Sequence, residues 1–223
     1  MKLLRTATAL LAATAATAAM APGATAAAAA PDTPREGAHA LLPAHAPHPG
    51  HPQRSAAERQ EAVEFFWYGC KHCAQFEQPL ERWAARHRDD VVLRRVPAVW
   101  QGGPDEQRQL GHARLYYTLE RLGAVDRLQA EVFRAVRERH EDLTTESGAA
   151  AWALAQGLDP AAFRAAWRSP EVDRLVADAP GRMARNRITE IPTVLVGSGR
   201  TSPTGAGGVE RMPDAMDTLV EHH

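Results

Sequence analysis

Two cysteines, Cys70 and Cys73, stand between a strand-like apolar run and an amphipathic helical run, and this arrangement constrains the fold more than any other feature. The preceding run, Glu61 to Trp67, has the length and apolar character of a short strand covered on both faces. Gly69 interrupts that pattern, and we expect a helix to begin at the first cysteine. One helical face then follows at spacings of three and four residues, formed by Cys73, Phe76, Leu80, Trp83 and His87. A second strand, Val91 to Val96, completes a strand–helix–strand unit, the beginning of an α/β fold.

The middle of the chain, residues 101–182, is predicted to be almost wholly helical. Asp159-Pro160 and Ser169-Pro170 are typical helix starts, because each places a capping side chain before a proline in the first turn. Thr144 is a candidate cap for an earlier helix of this block. Pro180-Gly181 should end or sharply kink the last helix, since proline removes a backbone donor.

Strand character returns after the helical block. Pro192 to Val196 is a short β-branched run, and a glycine-rich loop leads from it into a final helix. We therefore assign residues 61–100 and 183–223 to one α/β layer. Residues 101–182 form an all-helical subdomain inserted into that layer.

The amino-terminal segment, residues 1–30, has the residue order of a secretory signal peptide. Lys2 and Arg5 precede an apolar stretch, and the small residues from Ala24 to Ala30 offer a cleavage region. Interrupting threonines and few large apolar side chains argue against a membrane anchor. Residues 31–60, rich in proline and histidine, are predicted to be an extended lead-in. The formal net charge of -1 gives no reason to expect a nucleic acid partner.

Export changes the interpretation of the cysteine pair. A disulfide between Cys70 and Cys73 closes a very short loop and stabilises the fold little, so reactivity accounts for the pair better than stapling. At a helix N-terminus, Cys70 faces backbone N–H groups and the positive end of the helix dipole, which favour its thiolate. Lys71 and His72 add positive or donor character beside the same sulfur. We predict no metal site, because structural zinc requires four ligands and the chain has only 2 cysteines.

These residues resemble the DsbA family of periplasmic thiol-disulfide oxidoreductases in the thioredoxin superfamily. The resemblance rests on Val63-Glu64-Phe65-Phe66 leading into Cys70-Lys71-His72-Cys73-Ala74-Gln75-Phe76-Glu77, on the helical insertion, and on Ile191-Pro192-Thr193 before a strand. It implies a thioredoxin-like fold whose inserted all-helical subdomain caps the active site. Many relatives carry proline where this chain has Lys71, so the resemblance leaves the oxidising strength open.

The resemblance also assigns roles to single residues. Cys70 and Cys73 are implied to be the redox pair, with His72 stabilising the nucleophilic thiolate. Pro192 is implied to be a cis-proline that lies against the disulfide. Ile191 is implied to offer backbone polar groups for strand-like pairing with substrate, and Thr193 to join it in substrate binding.

Two further residues are candidates near the cysteines. Glu64 stands among apolar residues, and burial would raise its pKa and let it exchange protons with Cys73. The alternative is a solvent-facing strand residue. Arg95, on the second strand, is a candidate charge partner for Glu64. Tyr68 is a candidate for an apolar surface that binds unfolded chains.

The resemblance implies an exported enzyme that donates the Cys70–Cys73 disulfide to reduced or unfolded exported proteins in the periplasm. Such an enzyme needs no bound cofactor besides its redox-active disulfide, acts as a monomer, and is reoxidised by a membrane partner of the DsbB type. Two alternatives remain at this point. One is a periplasmic disulfide reductase or isomerase, and the other is a non-catalytic thioredoxin-like protein that binds metal or unfolded chains.

Overall fold

A computed structural model describes residues 59–221, which form four strands and eight helices. The strands are β1 (Gln60–Phe66), β2 (Val91–Pro97), β3 (Thr193–Val196) and β4 (Gly199–Thr201). The helices are α1 (Lys71–Arg86), α2 (Glu106–Arg121), α3 (Val125–Arg137), α4 (Glu146–Ala155), α5 (Pro160–Trp167), α6 (Pro170–Arg185), α7 (Pro203–Ala206) and α8 (Met212–Glu221). The predicted signal peptide and all but the end of the predicted lead-in lie outside the described residues.

The four strands form one mixed sheet in the order β2-β1-β3-β4. β1 and β2 are parallel and are connected through α1, which confirms the predicted strand–helix–strand unit. β3 runs antiparallel to β1, with Phe65 opposite Thr193. Because of this register, the segment that follows β1 and the segment that precedes β3 meet at one edge of the sheet. Cys70 and Pro192 belong to these two segments.

The sheet and the helical insertion have distinct cores, and the second core reaches the cysteines. One core lies between the sheet, α1 and α8, and contains Phe76, Leu80, Trp83, Met212 and Met216. The other lies within the insertion, between helices α2 to α6, and includes Leu115, Leu119, Val132, Phe163 and Trp167. Phe66, Tyr68 and Cys73 belong to this second core, so the insertion forms part of the packing beneath the cysteine pair.

Local sequence signals place the ends of the inserted helices. As predicted, Asp159 accepts a hydrogen bond from the Ala162 N–H at 2.7 Å at the start of α5. Ser169 likewise caps α6 by accepting from the Val172 N–H at 3.3 Å. The cap of α4 is Thr145 and not Thr144.

The predicted break at Pro180-Gly181 does not end α6, which continues to Arg185. Val172, Val176, Ala179 and Met183 are buried along one side of this helix. Proline removes one helical hydrogen bond, and the burial on both sides of Pro180 offsets that loss. The boundary predicted between the helical insertion and the second part of the α/β layer, at residues 182 and 183, therefore falls inside α6.

Within residues 59–221, every helix is too short or too polar to cross a membrane.

The packing of α2 predicts a large difference between two leucine-to-alanine substitutions. Leu115 is fully buried in the insertion core, whereas Leu154 on α4 is 58% exposed. We expect Leu115→Ala to lower the free energy of unfolding by about 2–5 kcal/mol, because it removes buried contacts and leaves a cavity. Leu154→Ala should change it by less than about 0.5 kcal/mol. Urea unfolding of the two variants measures both values, and equal losses would contradict the described core.

Candidate active site

Cys70 is the N-cap of α1, so the residue that starts the helix also carries the thiol. Its backbone is extended, with φ -78 and ψ 124, and its Sγ accepts a hydrogen bond from the Cys73 N–H at 3.2 Å. The turn before it is closed by a hydrogen bond from the Cys70 N–H to the Trp67 carbonyl at 2.9 Å. A Cβ on Gly69 would lie 2.4 Å from the Trp67 ring, so a larger residue here would displace that ring.

The two cysteines have opposite environments. Cys70 is partly exposed, and hydrogen bonds lower the pKa of its thiol: first from the Cys73 side chain, then from the backbone N–H groups of Cys73 and His72. Burial and the nearby Glu64 charge oppose this effect. Cys73 is fully buried, and that burial raises the pKa of its thiol well above the ordinary value. These environments favour the thiolate at Cys70 over the thiolate at Cys73, whose sulfur would need a proton if it were released from a disulfide.

The segment before β3 brings a backbone carbonyl to the same sulfur. The Ile191–Pro192 peptide bond is cis, as the resemblance implies. The Cys70 thiol donates a hydrogen bond to the Ile191 carbonyl, with Sγ and oxygen 3.7 Å apart. Thr193 does not fit its predicted part in substrate binding. Its side chain is buried and donates to the Glu190 carbonyl at 2.8 Å, because Thr193 is the first residue of the paired strand β3.

Glu190 holds the cis-proline segment and was not predicted from the sequence. Its two carboxylate oxygens accept hydrogen bonds from Ser202 at 2.5 Å and from Thr204 at 2.7 Å. The Ser202 hydroxyl, followed by that of Thr204, holds the pKa of Glu190 below its usual value. The only sign of this arrangement in the sequence is an acidic residue directly before Ile191-Pro192. Its two partners, Ser202 and Thr204, are hydroxyl residues that follow β4.

Glu64 is fully buried beneath the pair, and Arg95 is its charge partner, as predicted. The Arg95 Nε atom lies 3.3 Å from Glu64 Oε2. Burial raises the pKa of Glu64 to about 7, while the positive charge of Arg95 acts in the opposite direction. Glu77, a second buried carboxylate, accepts a hydrogen bond from Arg95 Nη2 at 2.8 Å. The sequence did offer a signal for Glu77, because it lies four residues after Cys73 on the apolar face of α1.

Tyr68 is a core residue, which corrects its prediction as part of a substrate-binding surface. It is 1% exposed, and its hydroxyl donates to Gln129 of α3 at 2.6 Å. Its neighbour Trp67 is only half-buried and donates through Nε1 to His112 Nδ1 of α2 at 2.8 Å. Burial, followed by repulsion from Arg108, lowers the pKa of His112 to about 4, so His112 is a neutral acceptor at ordinary pH. Aromatic side chains thus connect the cysteine turn to the insertion.

The two residues between the cysteines point to solvent. Lys71 and His72 are both exposed, and His72 lies at one side of a groove between α1 and the segment after β4. The other side of the groove is formed by Pro203, Gly208, Val209 and Glu210. The insertion also reaches this region, because Arg137 of α3 donates to the Gly69 carbonyl at 2.8 Å.

The hydrogen bond from the Cys73 thiol predicts a difference between two substitutions of that residue. In the reduced protein, Cys73→Ser keeps a donor beside Cys70, whereas Cys73→Ala removes it. We expect the pKa of Cys70 to be higher in Cys73→Ala than in Cys73→Ser, because the thiolate loses a hydrogen bond. Ultraviolet titration of the thiolate measures both values, with Cys70→Ser as the blank. Equal pKa values would show that the backbone N–H groups alone stabilise the thiolate.

The hydrogen bonds of Glu190 predict a defect in substrate use without a change in the thiolate. Glu190→Ala frees the segment that carries Ile191, and we expect KM for a reduced peptide to rise by up to about tenfold. The pKa of Cys70 should stay unchanged, since Glu190 is not among its hydrogen-bond partners. Glu171→Ala, which removes an exposed carboxylate from α6, is the matched control. An unchanged KM would mean that the segment keeps its position without Glu190.

Comparison with known proteins gives the same family for nearly all of the described chain. Residues 62–219 match the DSBA-like thioredoxin domain. The chain is 33% identical over 183 residues to the thiol:disulfide interchange protein DsbA of Azotobacter vinelandii, covering 81% of this chain and 79% of the relative. It is 37% identical over 149 residues to the DsbA of Bordetella pertussis, covering 66% of this chain and 68% of the relative.

A solved structure agrees with the sequence relatives. The crystal structure of Pseudomonas aeruginosa DsbA aligns with a TM-score of 0.67 at 28% identity, covering 78% of this chain and 88% of that chain. This confirms the predicted α/β, thioredoxin-like fold with its helical insertion. The chain belongs to the DsbA family of the thioredoxin superfamily, and it is a thiol-disulfide oxidoreductase.

Proposed function

We propose that this protein is exported and donates the Cys70–Cys73 disulfide to reduced proteins outside the cytoplasm. The observation that carries this proposal is the contrast between the two thiols. The reduced form is stabilised at Cys70, whose thiolate accepts hydrogen bonds at the start of α1. A dithiol that is stable when reduced makes its disulfide a strong oxidant, because the equilibrium favours passing the disulfide to another protein.

The proposed reaction proceeds through two exchanges. A substrate thiolate attacks Cys70 Sγ, the Cys70–Cys73 bond breaks, and the bonding electron pair leaves on Cys73 Sγ, which takes up a proton. A second substrate thiolate then attacks the substrate sulfur of the mixed disulfide, and Cys70 leaves as a thiolate. The substrate has lost two electrons and gained a disulfide, and the enzyme holds a dithiol. Lowering the pKa of Cys70 favours the second exchange, because it makes Cys70 the better leaving group.

Substrate binding is proposed at the backbone of Ile191 and in the groove beside His72. Ile191 is half-buried next to the sulfur, where its backbone offers strand-like pairing to an extended chain. Backbone pairing is independent of sequence, which suits an enzyme that acts on many unfolded proteins. Along the groove, His72 offers the same extended chain a polar contact, and Pro79 and Val209 offer apolar contacts.

Export, the reoxidising partner and the state of assembly complete the proposal. Residues 1–30 would act as a signal peptide that delivers the protein to the periplasm. The protein would need no bound cofactor, because the redox-active disulfide itself carries the two electrons. A membrane partner of the DsbB type would restore the disulfide, and the enzyme would act as a monomer.

The reduction potential tests the direction of exchange. Equilibration of the mature protein with glutathione buffers should give a value less negative than about -180 mV, the range of disulfide donors. The oxidised protein should also introduce disulfides into a reduced, unfolded test protein, and Cys70→Ser should abolish this activity. A thioredoxin-like value near about -270 mV would contradict the donor function and favour a reductase.

A further inference from the structure

The buried position of Cys73 creates a need for a proton that water does not supply directly. When the disulfide opens, Cys73 Sγ is released inside the protein, where burial strongly disfavours a thiolate. Glu64 is the buried carboxyl whose charge acts on both sulfurs. Glu64 is itself 0% exposed, so its protonation depends on the groups that surround it.

Three carboxylates surround one guanidinium beneath the cysteines. Arg95 Nε lies 3.3 Å from Glu64 Oε2, and Arg95 Nη2 lies 2.8 Å from Glu77 Oε1. The same Nη2 lies 3.8 Å from Glu81 Oε1. Since one positive charge faces three carboxylates, two of them buried, the cluster favours holding a proton.

The cluster leads from the protein interior to solvent. The exposed fractions of the side chains are 0% for Glu64, 2% for Glu77 and 40% for Glu81. Glu77 and Glu81 are one turn apart on α1, so their side chains are neighbours. Burial is the main cause that raises the pKa of Glu77, and the charges of Glu64 and Glu81 raise it further. Glu81 is thus the member of the cluster that water reaches.

We propose that Glu81 is a positioning residue that controls the protonation of Glu64 through Arg95 and Glu77, and so the supply of the proton that Cys73 takes up. This inference rests on the proposed disulfide exchange. The Glu81 carboxylate competes with Glu64 and Glu77 for the single guanidinium. Its negative charge favours the protonated form of Glu64, which gives its proton to the departing Cys73 sulfur and becomes a carboxylate. The cluster then regains a proton from solvent at its exposed end, and Glu64 is protonated again.

Several charged and titratable groups face Glu64 from the elements packed against it. Arg95 comes from β2, and the other groups come from the turn between β1 and α1 and from α1 itself. They are Tyr68, Cys70, Cys73, Glu77 and Glu81, whereas Tyr116 and Glu120 of α2 act on Arg95 and Tyr68, respectively. Arg95 contacts three carboxylates, and two of them, Glu64 and Glu77, are buried. Glu81 can therefore be substituted without changing a buried side chain.

Glu81→Gln tests the inference because it removes one negative charge from the exposed end. Ionisation of Glu64 then becomes easier, so its pKa should fall by on the order of one pH unit. NMR titration of isotope-labelled glutamate in the reduced protein measures this value, with Glu64→Gln assigning the signal. The rate of a single turnover with a reduced peptide should fall as pH rises through the pKa of Glu64. In Glu81→Gln this fall should begin at a correspondingly lower pH.

Two variants separate this role from a general effect of charge or stability. Glu61→Gln removes an exposed carboxylate from β1 that pairs with Arg94 at 3.6 Å, and it should shift the pKa of Glu64 by less than about 0.3 unit. Glu81→Asp keeps the charge and should restore most of the pH profile. Equal shifts in Glu81→Gln and Glu61→Gln, or an unshifted Glu64 in Glu81→Gln, would overturn the inference. The proposed function fails separately, if the unmodified protein transfers no disulfide at any pH.

Discussion

The hydrogen bond from the Cys73 N–H to Cys70 Sγ connects the fold to the chemistry. It caps α1, so the same contact that starts the helix stabilises the thiolate of the reduced enzyme. β1 fixes where the helix starts, and Gly69 allows the turn between them. The antiparallel register of β3 then brings the Ile191 carbonyl to the same sulfur. A change that moved the helix start would therefore alter both the thiolate and its contact with the Ile191 carbonyl.

The insertion is part of this site and does more than cover it. Three contacts reach the cysteine turn from α2 and α3: His112 to Trp67, Gln129 to Tyr68, and Arg137 to the Gly69 carbonyl. Two of them satisfy polar groups that would otherwise be buried without partners, which makes them costly to break. The turn is thereby held on one side by the sheet and on the other by the helical subdomain. Such support from both sides keeps the exposed sulfur in a fixed position, as an exchange reaction with large protein substrates requires.

Features set by neighbouring residues were predictable from the sequence, and features set by distant ones were not. The strand–helix–strand unit and the helix caps that precede a proline follow from local periodicity and capping, and the structure confirms them. The cis bond before Pro192 came from family resemblance, because a proline at a strand start is locally ambiguous. Tyr68 was mispredicted since its burial depends on Gln129, 61 residues away. Glu190 was missed because its partners Ser202 and Thr204 approach only after β3 and β4 fold back.

The raised pKa of Glu64, the buried carboxyl beneath the cysteines, makes the stability of the fold depend on pH. The pKa of Glu64 is raised from 4.5 to about 7 in the folded chain, mainly by burial. Below pH 4.5 Glu64 is mostly protonated in both the folded and the unfolded states, so its ionisation does not reduce the stability of the fold. As pH rises from 4.5 to about 7, the unfolded chain ionises first, so the folded state loses stability. A group that titrates near neutral pH exchanges protons most readily there, so under the proposed mechanism this loss of stability accompanies the delivery of a proton to Cys73.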